Sequence, residues 1–138
     1  MYKKILVAVD GSDHSKRAAQ HAADLAASTG AAADMLYVVD YDRSREKEFE
    51  NVPKDELEGK ITDRLDHVFE VFREKGVGPG LKIQYGEPGP TIVKFCNAEN
   101  YDLVIVGSRG LNAFQEMVLG SVSHKVAKRV DCPVLLVK

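Results

Sequence analysis

Three glycines that follow a buried strand could form a phosphate-binding loop. Gly107 comes directly after the strand, Gly110 comes three residues later, and Gly120 follows after nine more residues. Val122 and Val126 then recur at helical spacing, which places the start of a helix at Gly120. Glycine leaves backbone N–H groups accessible to a ligand, and the first N–H groups of a helix lie at the positive end of its dipole. The spacing therefore suits a phosphate site.

Polar side chains in the same segment add hydrogen-bond donors. Ser121 and Ser123 carry hydroxyls, and Arg109 offers a guanidinium in a chain whose net charge is −2. A hydrogen bond to a charged phosphate oxygen contributes about 1.5–3 kcal/mol, so three or four could support micromolar binding. Two simpler alternatives remain: Arg109 is an exposed surface residue, and the glycines are those that α/β loops commonly contain.

The first strand ends in a second polar segment, Asp10-Gly11-Ser12-Asp13. Asp10 could accept hydrogen bonds from a ribose or a base, or ligate a metal. The alternative is an Asx-type turn, in which the carboxylate bonds to nearby backbone. Ser12 is expected to cap the helix that follows.

The four histidines predict neither a catalytic triad nor a metal site. His14 and His124 lie near first helical turns, but the sequence neighbours of neither define a catalytic triad. His21 and His67 lie inside helices and do not pair with each other or with a spaced acid. We expect no catalytic residue and no metal held by protein ligands alone.

Alternating strand and helix patterns must position these residues. Short aliphatic runs of the kind found in strands covered on both faces occur at Lys4–Val9, Ala33–Val39, Leu81–Tyr85, Asp102–Val106 and Val134–Val137. An alanine stripe predicts a helix from Ser12 to Gly30, and apolar residues from Leu57 to Phe72 predict one long amphipathic helix that ends at Gly76. A third helix follows the Gly86–Pro90 turn, with Pro90 in its first turn, and carries Ile92, Val93 and Cys96. A fourth helix, after the glycine loop, contains Val118, Val122 and Val126.

Five repeats of strand and helix imply a doubly wound α/β sheet, with parallel strands, right-handed crossovers and helices on both faces. In such a sheet the ligand crevice opens at the carboxyl ends of the strands, where the winding direction reverses. Asp10 and the glycine loop would form its opposite walls if strands one and four are neighbours.

Composition narrows the class of protein. The chain has 138 residues and 15.2 kDa, 44% of them apolar and 29% charged, which suits one globular domain over residues 1–138. A net charge of −2 and a pI near 6.1 give no positive field to hold a nucleic acid. The longest apolar runs, about five residues, are far short of the roughly 20 that span a bilayer. We expect a cytoplasmic protein without a signal peptide.

Two further features are expected to be structural. Cys96 and Cys132 lack the paired spacing of a zinc or redox motif, and we interpret them as reduced, buried thiols. Residues 42–50 (DRSREKEFE) carry seven charges in nine positions, which predicts a solvated connection; the alternative is a lid over the crevice.

Four segments, in order, resemble single-domain universal stress proteins of the ATP-binding branch. They are YKKILVAVDGSD from Tyr2 to Asp13, GEPGPTIV from Gly86 to Val93, the Gly107, Gly110 and Gly120-Ser121 signature, and the ending CPVLLV from Cys132 to Val137. The resemblance covers essentially the whole chain. It implies an adenine nucleotide alpha-hydrolase-like fold with strand order 3-2-1-4-5, which makes strands one and four neighbours.

The resemblance also implies a site for ATP, with Mg2+ or Mn2+ bridging the phosphates. The residues that it assigns to the adenosine end are Ala8, Val9, Asp10 and Val38. Those that it assigns to the ribose and phosphates are Gly107, Arg109, Gly110, Gly120, Ser121, Val122 and Ser123. No catalytic base is implied, so hydrolysis should be weak at most.

A homodimer through the last strand is implied as well, and residues 134–137 independently form an apolar edge with only Lys138 to protect it. The alternative is an edge covered by the chain's own helix. The expected function is a nucleotide-responsive regulatory or adaptor module in the stress response, for which an unidentified protein is a candidate partner. The alternative is a nucleotide-independent dimeric scaffold.

Two other classes fit less well. Nucleotidyltransferases and ATP pyrophosphatases usually display a paired-histidine motif or a serine-glycine-glycine loop, and Asp10-Gly11-Ser12-Asp13 is neither. A phosphorelay receiver needs an aspartate at the end of the third strand and a lysine after the fifth with more chain beyond. Here the third strand ends in Tyr85-Gly86-Glu87 and the fifth at Lys138.

Overall fold

Five strands form the centre of the computed structural model, which describes residues 2–40, 52–109 and 120–138. In chain order they are β1 (Lys4–Ala8), β2 (Ala32–Val39), β3 (Gly80–Tyr85), β4 (Leu103–Gly107) and β5 (Val134–Val137). Every pair of neighbouring strands is parallel, and the order in the sheet is β3-β2-β1-β4-β5. The predicted order is confirmed, and it makes β1 and β4 neighbours.

Helices cover both faces of the sheet. They are α1 (Asp13–Thr29), α2 (Lys54–Arg64), α3 (Asp66–Glu74), α4 (Pro88–Glu99) and α5 (Ser121–Arg129). Side chains alternate along each strand, so Ile5 and Val7 pack with α1, α2 and α3, whereas Leu6 packs with α4 and α5. The predicted connection over residues 42–50, and Val118, lie outside the described residues. Within those residues, every helix falls short of the length and apolar character that crossing a bilayer requires.

The first helix begins and ends as the sequence predicts. The Ser12 hydroxyl accepts a hydrogen bond from the Ser15 amide at 3.1 Å, which satisfies one of the unpaired N–H groups at the helix start. Gly30 ends the helix in the left-handed region, with φ 76°. The small buried residues of this helix, Ala18, Ala19, Ala22, Ala23 and Ala26, let its backbone lie close to the sheet.

The long amphipathic helix expected between Leu57 and Phe72 is instead two helices. The break falls at Leu65, where ψ is 7° and the chain leaves regular helical geometry. The Leu65 carbonyl then accepts from both the Val68 and the Phe69 amides. The apolar residues on either side of the break stay buried, so α2 and α3 bend together around the core and keep one continuous apolar face. Spacing alone predicted that face correctly but could not show the bend.

The end of β4 packs directly against the first turn of α1. A Cβ added at Gly107 would lie 3.1 Å from the His14 carbonyl oxygen and 3.2 Å from the Arg109 carbonyl oxygen. Both neighbours are backbone atoms, which cannot rotate away as a side chain would. The absence of a side chain at Gly107 therefore sets how closely α1 approaches the carboxyl end of β4.

Replacing Gly107 with alanine should destabilise the protein by about 1–3 kcal/mol, because the new methyl group is forced against two carbonyl groups. Gly59 is the matched control: it is exposed in α2 and has nothing within 4 Å of an added Cβ. There, alanine should stabilise the protein by about 0.5–1 kcal/mol through its higher helix propensity. Urea unfolding measures both changes, and a Gly107→Ala variant as stable as the parent would contradict the close packing.

Candidate functional site

A cleft opens where β1, β2 and β4 end, at the point where the direction of winding reverses. The empty space in it is about 570 Å³, a volume that includes the part open to solvent. The residues that line it are Ala8, Val9, Asp10, Ser15, Leu36, Val38, Pro88, Ile92, Val106 and Val122. The cleft brings together Ala8, Val9, Asp10, Val38 and Val122 from the residues assigned by resemblance.

The walls of the cleft are mainly apolar. Leu36 and Val106 rise from β2 and β4, and Pro88 and Ile92 close the cleft from the start of α4. Of the described residues that line it, Asp10 alone is ionisable. A flat apolar ring can be buried in such a cleft, while polar groups are held at its rim.

Asp10 lies at the rim and also supports the turn that leaves β1. Its Oδ1 accepts a hydrogen bond from the Ser12 amide at 2.9 Å, which is the Asx-type turn considered as the alternative to a ligand role. The turn does not withdraw Asp10 from the cleft, which Asp10 lines at the same time. Gly11 completes the turn with φ 86°, a conformation that favours glycine, and Arg64 packs against it.

The start of α5 is fastened to the end of β4 by one carbonyl group. The Ser108 oxygen accepts from the Gly120 amide at 2.8 Å and from the Ser123 hydroxyl at 3.0 Å. The Ser123 hydroxyl also lies 3.0 Å from the Gly120 carbonyl, and Ser123 is only 2% exposed. The Ser123 hydroxyl and the Gly120 amide are therefore used for hydrogen bonds within the protein that hold the loop together.

Three amides at the start of α5 have no acceptor among the described residues: those of Ser121, Val122 and Ser123. The first bond of the helix is donated by His124 to the Gly120 carbonyl, at 2.9 Å. No side chain caps the helix at Gly120. These N–H groups can therefore bind an anion with the help of the helix dipole.

Gly120 is required for space. Its φ of −64° is ordinary, but an added Cβ would lie 3.1 Å from the Ser108 carbonyl oxygen and 3.7 Å from the Arg109 Cα. A side chain at this position would push α5 away from β4. The glycine thus keeps the helix start, with its three amides, close to the cleft.

Arg109 is partly buried, which excludes the reading of it as a fully exposed surface arginine. Its Nε and the neighbouring Ser108 hydroxyl are buried side-chain atoms for which the described residues provide no hydrogen-bond partner. Leaving such groups unpaired is unfavourable, and an anion accepting from both would relieve that cost. Gly110, the remaining residue of the glycine signature, lies outside the described residues.

Several residues around the cleft were not identified from the sequence. Ser15, Pro88 and Ile92 line it, yet they come from helix starts that pattern reasoning interpreted only as a turn or an apolar face. Lys125 joins α5 to the start of α4 through an ion pair with Glu87, with 3.5 Å between its Nζ and the Glu87 Oε1. The contiguous Gly86–Pro90 turn was the available signal, because a turn after a parallel strand lies at the ligand edge of the sheet.

The titratable residues provide little chemistry of their own. In residues 2–40, 52–109 and 120–138, no three histidine, cysteine, aspartate or glutamate side chains are placed to hold a metal ion. His14 has its Nδ1 against the Arg17 guanidinium, and its carbonyl lies over Gly107.

Comparison with known proteins identifies similar chains. The model of the universal stress protein family matches residues 1–138. The universal stress protein YxiE of Bacillus subtilis is 36% identical, with 100% of each chain covered. The solved structure of MJ0577, a universal stress protein of Methanocaldococcus jannaschii, is 32% identical with a TM-score of 0.81 and covers 100% of this chain and 96% of its own. A universal stress protein crystallised in complex with cAMP is 26% identical with a TM-score of 0.74, covering 99% of this chain and 96% of its own.

Proposed function

Because this chain belongs to the universal stress protein family, we propose that it binds ATP in the cleft and acts as a nucleotide-responsive regulatory or adaptor module. One observation carries the proposal: an apolar cleft at the switch point lies beside three N–H groups for which the described residues offer no acceptor. The similar protein crystallised with cAMP supports the choice of an adenine nucleotide.

The adenosine end of the ligand is assigned to the apolar part of the cleft. Ala8, Val9 and Val38 contact the ring, with Leu36 and Ile92 as further apolar neighbours. Asp10 at the rim accepts from a ribose hydroxyl. Excluding water from the faces of an adenine ring stabilises the complex in proportion to the apolar area buried.

The phosphates are assigned to the start of α5. The amides of Ser121, Val122 and Ser123 donate to them, and Arg109 adds a cation. Each hydrogen bond to a charged oxygen contributes about 1.5–3 kcal/mol. Gly107 and Gly120 act by keeping the backbone close, and Gly110 is included on the resemblance alone.

A divalent ion, Mg2+ or Mn2+, would be held chiefly by phosphate oxygens. The described residues supply no cluster of three acidic or imidazole ligands, so the ion would keep several waters. Asp10 is the one ionisable residue among the described lining residues, and its Oδ1 already accepts from the Ser12 amide. A water activator is therefore missing from the described lining, and we expect weak hydrolysis at most.

We also propose that the protein forms a homodimer through β5. Val104 and Ser108 donate to the carbonyls of Pro133 and Val137. Strand alternation then turns the N–H and C=O groups of Val134 and Leu136 away from β4. In the described part of the chain no strand pairs with that outer side. A second copy could use it symmetrically.

Proline at position 121 tests the phosphate assignment. Ser121 is exposed at the first position of α5, where proline is favoured, and Gly120 has φ −64° and ψ 154°, which suits a residue before proline. Ser121→Pro should keep the helix but remove one N–H, weakening MgATP binding about tenfold or more relative to Ser121→Ala, which retains it. Titration calorimetry measures both variants. Equal affinities would remove the phosphates from this helix, and a parent protein that binds no adenine nucleotide would favour the scaffold alternative.

Asp10→Ala tests the placement of the nucleoside. The variant should bind ATP about tenfold more weakly while its affinity for inorganic triphosphate stays unchanged, because only ATP carries a ribose. Asp10→Asn is the control, since its amide oxygen can still accept from the Ser12 N–H. Equal losses for both ligands in Asp10→Ala would show that the substitution acts through the turn.

Leu136→Pro tests the dimer. It should produce monomers by light scattering, because it removes an N–H that faces away from β4 and leaves the β4–β5 bonds in place. Leu136→Ala shortens the same side chain but keeps the N–H, and it should remain dimeric. Dimers of the proline variant with unchanged dissociation would place the interface elsewhere.

A further inference from the structure

Two thiols that are distant in sequence meet between α4 and the turn that enters β5. Cys96 lies in the middle of α4 and Cys132 lies two residues before Val134, the first residue of β5. Their sulfur atoms are 3.8 Å apart. Cys96 is 2% exposed, whereas Cys132 is only partly buried. The pair therefore has one protected sulfur and one that solvent can reach.

A neighbouring side chain holds the two segments in register. The Asn97 amide nitrogen donates to the Arg129 carbonyl at 3.3 Å, and its Oδ1 accepts from the Asp131 amide at 2.9 Å. These bonds fasten the end of α5 and the following turn to α4, and the second of them is made at Asp131, directly before Cys132. The two segments that carry the thiols are thus held next to each other.

We propose that Cys96 and Cys132 form a reversible intramolecular disulfide when the protein meets a hydroperoxide. A disulfide has an S–S distance of about 2.0 Å, so the sulfurs must approach by slightly less than 2 Å from their present separation. Rotation of the partly exposed Cys132 side chain and a small shift of its turn can supply that movement. This inference does not depend on nucleotide binding.

The chemistry has a preferred order. The Cys132 thiolate attacks the hydroperoxide, which forms a sulfenic acid and releases hydroxide or alkoxide. The Cys96 sulfur then attacks the sulfenic sulfur, the S–S bond forms, and the hydroxyl leaves as water with the proton from Cys96. Overall, two thiols are oxidised and one hydroperoxide is reduced to water and an alcohol, or to two waters for hydrogen peroxide.

Burial assigns the resolving role to Cys96. Burial, and after it the nearby Cys132 thiol and Asp131 carboxylate, raise the pKa of Cys96 to about 12. Little thiolate is present there at neutral pH, so Cys96 is a poor first nucleophile. Once Cys132 carries the sulfenic acid, the short fixed distance compensates for that weak nucleophilicity.

A metal site is a weaker interpretation of the same pair. Structural zinc requires four ligands, and the described residues place no third histidine, cysteine or carboxylate with the two thiols. Two sulfurs at contact distance without further ligands favour oxidation to a disulfide.

The experiment uses the full chain, reduced and then treated with one equivalent of hydrogen peroxide. After quenching with N-ethylmaleimide, the denatured protein should carry no alkylated thiol and should lose the mass of two hydrogen atoms. Non-reducing digestion should yield one linked peptide pair containing Cys96 and Cys132, and dithiothreitol should release it. Two alkylated thiols, an overoxidised Cys132 beside a free Cys96, or linkage only between chains would overturn the proposal.

Two variants test the order of reaction. In Cys96→Ala, Cys132 should stop at the sulfenic acid and be trapped by dimedone. In Cys132→Ser, Cys96 should react with peroxide at least about tenfold more slowly than Cys132 does in Cys96→Ala, because Cys96 is buried and protonated. Faster reaction of Cys96 than of Cys132 would reverse the assigned roles. Should Cys96→Ala fail to fold, the linked peptide of the parent protein still decides whether the disulfide forms, and the peroxide rate of Cys132→Ser still tests the order.

Discussion

One carbonyl group fixes the start of α5, the element to which the phosphates are assigned, against the end of β4. The Ser108 oxygen accepts from the Gly120 amide and the Ser123 hydroxyl, and so fixes the start of α5 over the carboxyl end of β4. Both contacts are short, and the one from Ser123 is buried, in an environment where hydrogen bonds are strong and costly to break. Together they set where the amides of the first helical turn lie relative to the cleft. Two donors, the Gly120 amide and the Ser123 hydroxyl, are used to hold the loop. The same two bonds orient the three backbone amides at the start of α5 that have no acceptor among the described residues.

The sheet order supplies the other half of the arrangement. Since β1 and β4 are neighbours, the turn that carries Asp10 faces the start of α5 across the cleft. The helices that follow β1 and β4 leave toward opposite faces of the sheet, which opens space between them. Gly107 lets the first turn of α1 approach the end of β4 closely, which limits the space between the two helices on that side. An apolar floor and a polar rim thus follow from topology, before any particular ligand is considered.

Features that depend on interactions between residues near in sequence could be predicted, and those that depend on contacts between distant residues could not. Aliphatic runs and an alanine stripe record local burial, and with the family resemblance they were sufficient for the five strands, their order and the cap at Ser12. The bend at Leu65 was missed because both helices keep the same apolar spacing. The work of Gly107 and Gly120 was attributed to ligand approach, whereas the structure also shows a packing requirement against backbone far along the chain. Ser15, Pro88 and Ile92 were missed because only tertiary structure brings them to the cleft.

The same helix serves both the cleft and the thiol pair. Ile92 lines the cleft, and Cys96 follows four residues later, so the two side chains lie about one turn, or roughly 6 Å, apart on one face of α4. Cys132, the partner of Cys96, leads directly into β5, the edge at which a second copy could pair. The thiol pair therefore lies between the cleft and the edge strand: α4, which carries Cys96, lines the cleft, and the turn that carries Cys132 leads into β5.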